Sequence, residues 1–463
     1  MSTPTEITPV LAGERSDVRD SPVAPASSAY PWFVVSALAL TNMVSYVERL
    51  IPTLLFAPIK KDFDLTDTQV SVLAGFAFVI FYIIFGVIIG RLADRSSRKR
   101  IIMIGIVFWS LATLTCGLAR NFVQLFLARV SVGVGEATLG PSATSMISDY
   151  FPKERLARAL SVYTGAQYVG AGLALVLGGF AIQLVSNMTL PDLPFVGKPA
   201  PWQMTFFIVG LVGMVVLIPM AFVKEPPRRG MIQTQSTKAG VPLSEVFGFI
   251  RTNWKTFLAI YGAYSIHAIV GFGTNAWVPS YFVRVHGWPV HDIGYAYGLI
   301  VGVLGTAGVL FGARFAEWLG ARGYVDAYMR APLIIAMFLL VPQALATLMP
   351  TPELSLALLS VSTFLSSCSV AVAIASLQLI TPNQMRGQIL SFYLFVANIL
   401  GLGLGPTLVA LITDKVFHDE MMVGYSLATT VAIITPIVIG LLWFGLKPYR
   451  ESLARAEAWA EKI

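Results

Sequence analysis

Read for its apolar and polar positions, the chain divides into twelve long apolar stretches separated by short polar segments. They run 31–59, 69–90, 101–119, 122–148, 156–185, 203–223, 255–283, 293–312, 329–349, 354–380, 387–413 and 422–446. Each is close to or above the ~20 residues with which a helix crosses a ~30 Å hydrocarbon layer. A helix satisfies its backbone hydrogen bonds internally, as the bilayer interior demands. The stretches are too long and too evenly apolar for barrel strands, which alternate over ~10 residues. The pattern predicts an all-α membrane protein with twelve transmembrane helices.

Composition points the same way. Of 463 residues, 56% are hydrophobic and 12% are charged, with a mean hydropathy of +0.72, whereas a soluble chain carries about 25% charged residues. With the N-terminus inside, 24 of the Lys and Arg residues fall on the cytoplasmic side and 6 on the other. This bias predicts a multi-pass protein of the inner (plasma) membrane with both termini in the cytoplasm. The net charge of +7 then reads as topology and acidic-lipid contact, not as a nucleic-acid surface. Residues 1–29 are polar, of mixed charge and rich in Ser, Pro and Thr, the signature of a disordered cytoplasmic tail. They lack the pattern of a cleaved signal peptide, so the first helix is expected to serve as an uncleaved insertion signal. Cys116 and Cys368 lie in separate spans and imply neither a disulfide framework nor a metal site.

The segment 224–254 is the longest inside loop and separates six spans from six. The expected organisation is therefore a bundle over 30–223, the loop 224–254, a second bundle over 255–446 and a cytoplasmic tail over 447–463. The bundles echo each other at an offset of 223 residues: Arg91-Leu92-Ala93-Asp94 aligns with Arg314-Phe315-Ala316-Glu317, each just past the second span of its half. A duplicated six-helix unit with a site at the interface is a known solution for alternating access.

Four charges lie inside the spans: Glu48 and Arg49 on the first helix, Arg129 and Glu136 on the fourth. An ionised group near the bilayer centre costs at least ~2.5–3.5 kcal/mol. At ~1.5 Å per residue, Glu48 and Arg49 lie ~15 Å below the outer surface, Arg129 ~10 Å and Glu136 ~21 Å. They share a layer ~11 Å thick, which predicts crossed pairs of Arg129 with Glu48 and Arg49 with Glu136. Buried pairs stabilise packing poorly, and a desolvated Glu beside an Arg can titrate near neutrality. These four are thus the candidate substrate-binding and proton-coupling residues. Glu136 is the expected proton carrier because it is deep and shares a helix face with Arg129, and Arg49 is the expected anion binder. Asn42, Tyr46, Tyr264, His267 and Asn275 are candidate cavity-lining residues, the last three in a polar stripe with Tyr261 and Gly271 on helix 7. Asn398 is expected to hydrogen-bond between helices. The Gly133, Gly135, Gly140 and Gly401, Gly403, Gly405 sets lack the strand–turn–helix setting of a phosphate loop and read as close helix packing. No cofactor, metal or enzymatic constellation is expected, and short tails speak against a sensor with an output domain.

The loop Gly90-Arg91-Leu92-Ala93-Asp94-Arg95-Ser96-Ser97-Arg98-Lys99-Arg100 resembles the signature loop of the major facilitator superfamily between spans 2 and 3. The resemblance implies two six-helix halves related by a pseudo-two-fold axis. It also implies a cytoplasmic gate made by Asp94, Arg95 and Arg98, with Glu317 in the degenerate second copy. Ser97 replaces the usual Gly, so the turn must avoid a positive φ or tolerate strain. Asn42 to Arg49, Arg129 to Ala137, Phe151-Pro152-Lys153-Glu154-Arg155 and Gly170-Ala171-Gly172-Leu173 resemble the spinster branch, with Glu48 in place of its usual Asp. This implies proton-coupled symport or antiport of an anionic amphipathic lipid such as a lysophospholipid or a sphingosine-phosphate-like lipid. It also implies substrate and coupling roles for Glu48, Arg49, Arg129 and Glu136. Anion:cation symporters of hexuronate type share a similar helix 1 and helix 4 pattern and are the alternative. Drug:proton antiporters fit less well, since Ala171 stands where their motif has Pro. The expected partners are the anionic substrate, protons and membrane lipid, for a chain working as a monomer.

Overall fold

The computed structural model describes residues 29–93, 95–187, 197–228, 242–382 and 384–460, the side chains of 153, 154, 157 and 457–460 excepted. The tail before residue 29, Asp94 and most of the polar inter-bundle loop lie outside the described residues. Among the described residues, twelve helices are long and apolar enough to cross a membrane, as expected. They are α1 (Ala29–Leu54), α2 (Asp67–Ala93), α3 (Arg98–Cys116), α4 (Phe122–Tyr150), α5 (Arg158–Ser186), α6 (Pro201–Phe222), α7 (Trp254–His286), α8 (Val290–Ala321), α9 (Ala327–Ala346), α10 (Pro352–Ile380), α11 (Arg386–Phe417) and α12 (Glu420–Ala456). Ile104, Leu310, Phe338 and Trp443 on four of these helices are exposed, as faces turned to lipid should be.

The helices break where the sequence gives a reason. The first stretch does not run unbroken to 59. Pro52 lies in its last turn, the helix ends at Leu54, and a separate short helix Phe56–Phe63 follows, stopped by Asp64 at φ 51°. α2 breaks at Gly75 and α4 at Ala137 and Thr138. Two six-residue π segments interrupt α8 and α11 at Ile300–Gly305 and Ile399–Leu404. The last helix outruns its apolar stretch, since Val423–Ala460 is one helix and takes in most of the expected tail. Ser97 has φ −64° and caps α3 by accepting from Arg100 N at 3.4 Å, so the turn avoids a positive φ.

The larger hydrophobic core fills the first half and continues into Trp277, Phe282, Ile293 and Val409 of the second; a separate core fills the rest of that half. The junction lies at the end of the bundle that carries the loop between α1 and α2, the outer end of the expected topology. Phe56 meets Trp277 there with ring centroids 5.0 Å apart. Deeper in, α5 and α8 pack backbone to backbone: a Cβ on Gly172 would lie 2.6 Å from the Gly298 carbonyl oxygen, and one on Gly298 would lie 2.7 Å from that of Gly172. Gly133 against Phe78 and Gly135 against Trp109 are equally close.

Candidate functional site

α1 and α4 bring Arg49 and Glu136 together. Arg49 Nη2 and Nε donate to Glu136 Oε2 at 2.6 and 3.1 Å, and Ser45 Oγ donates to the same oxygen at 2.8 Å. Glu136 Oε1 is buried with no hydrogen-bond partner. Around the guanidinium stand three rings, Tyr46 at 4.6 Å, Phe78 at 4.5 Å and Tyr82 at 5.0 Å. Aromatic faces attract a desolvated cation, so this one is held by a carboxylate and by π surfaces at once. Arg49 keeps 8% exposure, against 0–1% for Glu48, Arg129 and Glu136. Of the four charges it is the most exposed.

The second expected pair is absent. Glu48 turns away from Arg129 into the space between α3 and α6, where Thr113 Oγ1 lies 2.5 Å from its Oε2 and Ser110 Oγ lies 3.3 Å from its Oε1. Gly213 on α6 makes the room, because a Cβ there would lie 1.9 Å from Oε1. Arg129 instead donates to three backbone carbonyls, those of Leu73 at 3.4 Å, Glu48 at 3.4 Å and Arg49 at 3.2 Å. Local sequence explains why at least one of these was available. Pro52 has no N–H to give the Glu48 carbonyl four residues earlier, and Leu73 lies at the end of the segment that breaks at Gly75. A guanidinium, with donors arranged in a fork, serves such a set of released acceptors.

The other expected lining residues are dispersed. Asn42 donates to the Tyr163 carbonyl of α5 at 3.1 Å, His267 lies 3.0 Å from Ser366 Oγ on α10, and Asn275 accepts from Tyr297 of α8 at 2.7 Å. Tyr264 is buried in the second core. Asn398 bonds the Leu394 carbonyl of its own helix at 2.8 Å; the expected bond between helices is not made.

Of the residues expected at the cytoplasmic gate, Asp94 lies outside the described residues. Arg98 ties together three segments of its own half: it donates to Asp149 of α4, to Glu225 Oε1 after α6 at 2.8 Å and to the Pro226 carbonyl at 3.1 Å. Burial resists ionisation of Glu225, but the Lys99 backbone N–H, Arg98 and Ser97 outweigh it and hold the carboxyl below the usual range. Arg95 and Glu317 are exposed; among the described residues neither forms an ion pair with the other half.

A cross-half cluster at the outer end was not anticipated. Arg284 of α7 donates to both oxygens of the fully buried Asp67 at 2.6 and 2.8 Å. Lys60 joins Asp67 at 2.8 Å to Glu420 at 2.7 Å, and Thr68 donates to Asp414 at 2.8 Å through N and 2.6 Å through Oγ1. Burial resists the charge on Lys60, and the two carboxylates more than offset it, raising its affinity for the proton. Each partner lies at a span end, where charge is ordinary, so the sequence carries no signal for the pairing.

The Major Facilitator Superfamily profile matches residues 38–406. An MFS-type efflux pump of Mycolicibacterium smegmatis is 26% identical over 425 residues, covering 91% of this chain and 94% of its own. Protein spinster homolog 1 of Xenopus tropicalis is 27% identical over 414 residues (83% and 73%), and a hexuronate transporter of Bacillus subtilis is 24% identical over 418 residues (88% and 95%). A crystal structure of a bacterial homologue of the human lysosomal transporter spinster, inward-facing and occupied, superposes with a TM-score of 0.71 at 24% identity, over 93% of this chain and 98% of that one. Likeness at that identity speaks to the fold.

Proposed function

Since the chain belongs to the major facilitator superfamily, we propose that it is a proton-coupled secondary transporter of an anionic amphipathic lipid of lysophospholipid or sphingosine-phosphate type. The observation that carries this reading is Arg49, a cation flanked by three rings and paired with a carboxylate that has one oxygen unbonded. A phosphate headgroup can displace Glu136 from the guanidinium, since Arg recognises planar and tetrahedral oxyanions in the same bidentate way. Of the two buried glutamates, Glu48 suits the coupling proton better than Glu136, because no cation lies within 4 Å of its carboxyl among the described residues. The bundles 30–223 and 255–446 rock about the site, with both termini in the cytoplasm and the chain acting as a monomer in the inner membrane. The ion pairs at the outer end then belong to the inward-facing state.

Import of a small organic anion of hexuronate type is the second reading, favoured by the likeness to the hexuronate transporter. Thermal shifts in detergent separate the two. Lysophospholipids should stabilise the protein through Arg49 and hexuronates should not; the reverse order would replace the first reading with the second. In proteoliposomes, Glu48→Gln should abolish transport driven by a pH gradient while leaving counterflow.

A further inference from the structure

α6 is interrupted at Val216. Pro219 follows, with no N–H to give the Val215 carbonyl four residues earlier. Beside this interruption a groove of about 670 Å³ runs between α3 and α6. Ile104, Val107, Phe108 and Leu111 form its α3 wall, and Ile218 and Ala221 belong to its α6 wall. All six are exposed. Apolar side chains turned to lipid are ordinary in a membrane protein. What sets this groove apart is its depth and the charge at one end of it.

That end is the one expected to face the cytoplasm. Lys99 Nζ donates to the Ala221 carbonyl at 2.8 Å, so an ammonium bridges the two walls at the mouth. An ammonium has three donors, and the Ala221 carbonyl takes one of them. Arg100 stands one turn before Ile104 on the same helix; it is exposed and makes no ion pair among the described residues. The neighbouring acid, Glu225, is engaged by Arg98, by Ser97 and by the backbone N–H of Lys99. From Ile104 to Leu111 the α3 wall rises ~10 Å, which lies within the ~15 Å depth of one leaflet. An apolar slot one leaflet deep that ends on two cations has the order of a lipid: a hydrocarbon chain, then a negative headgroup. We infer that this groove is a binding site for an anionic diacyl phospholipid, with one acyl chain between α3 and α6 and the phosphate on Lys99 and Arg100. A choline headgroup would bring a third cation to the same mouth, so zwitterionic lipid is disfavoured. The site is independent of what the protein carries.

Photocrosslinking in nanodiscs tests it. Phosphatidylglycerol and phosphatidylcholine, each with a diazirine midway along one acyl chain, are compared at the same low fraction, and the labelled residues are mapped by mass spectrometry. Phosphatidylglycerol should label 103–111 and 217–221 at least fivefold more than phosphatidylcholine, since each cation near the surface contributes about fivefold to anionic-lipid attraction. Lys99→Gln with Arg100→Gln should bring the two lipids level. Arg251→Gln with Lys255→Gln removes the same charge at the start of α7 and should leave the preference in place. Ala221→Phe fills the groove with its charges intact and should reduce labelling there by both lipids; Val107→Trp repeats that test should the first variant not fold. Equal labelling by the two lipids in the wild type makes the groove plain lipid-facing surface and overturns the proposal. A preference lost equally in the Arg251 and Lys255 variant assigns it to overall charge and overturns the site as well. Absence of label from both lipids, with a dimer in native mass spectrometry, would seat a second copy there instead.

Discussion

Glu48 and Arg129 are neighbours that are not ion partners: the guanidinium of Arg129 reaches the backbone carbonyl of Glu48 at 3.4 Å, while the carboxyl of the same residue points to Thr113 on another helix. Arg129 therefore serves the backbone of α1, at the carbonyl that Pro52 leaves without its helical donor. Lys offers a single compact ammonium in place of a planar fork and cannot span acceptors on two helices. Arg129→Lys should lower the melting temperature by about 2–4 °C, the shift of about 1 kcal/mol in a large domain. Differential scanning fluorimetry in detergent reads this directly, and a variant as stable as the wild type would show that the carbonyl contacts do not matter.

The pair of Arg49 with Glu136 predicts a non-additive response. Arg49→Ala leaves a buried carboxylate without its cation, a loss of about 3–5 kcal/mol. Adding Glu136→Gln in the same chain removes that charge and should recover most of the loss. A double-mutant cycle on thermal stability measures it. Additive single effects would mean that the two groups do not act as a pair.

Asp67 and Arg284 join the two halves at the outer end with a bidentate bond to a fully buried carboxylate. Truncating one partner of such a pair costs 2–5 kcal/mol, and only the closed outer end contains the pair. Arg284→Ala should therefore raise the population open on that side by about tenfold or more. Spin-label distances between the α1–α2 loop and the α7–α8 loop should show a longer component growing in. Unchanged distances would remove the gate role.

Glu225 gives a pH dependence whose sign follows from its shift. Its folded-state affinity for the proton is lower than in the unfolded chain, because Lys99 N–H, Arg98 and Ser97 favour the anion over the cost of burial. The stability it contributes is present above the ordinary glutamate range and is lost as the pH falls through its folded value. The group is exposed, so the effect is small. Glu225→Gln should melt about 1 °C lower than the wild type at neutral pH, and the gap should close on acidification.

The twelve helices were legible because lipid demands long apolar segments whatever the neighbours, and α3, α4 and α10 begin close to where the pattern turns apolar. The end of α1 at Leu54 could have been read from Pro52 in its last turn. The α12 helix was underestimated because its polar end, from Lys447 onward, carries no hydropathy signal although its backbone can stay helical in water. Among the polar residues, type and depth marked the four buried charges, but pairing depends on rotation about each helix axis and on which third helix stands alongside. Ser110 and Thr113 lie three apart within an apolar stretch, a faint trace of the face that receives Glu48.

The sequence by itself determined that the chain crosses a membrane twelve times in two related halves, and that Glu48, Arg49, Arg129 and Glu136 lie at similar depth. Span length and charge depth are one-dimensional quantities, set by the thickness of the hydrocarbon layer and the rise of a helix. Only the tertiary structure decided that Arg49 takes Glu136, that Glu48 goes to Thr113, that Arg129 serves freed carbonyls, and that Asp67 meets Arg284 across the halves. Those outcomes depend on distances of a few ångströms between helices far apart in the chain, where a single glycine or proline redirects a side chain.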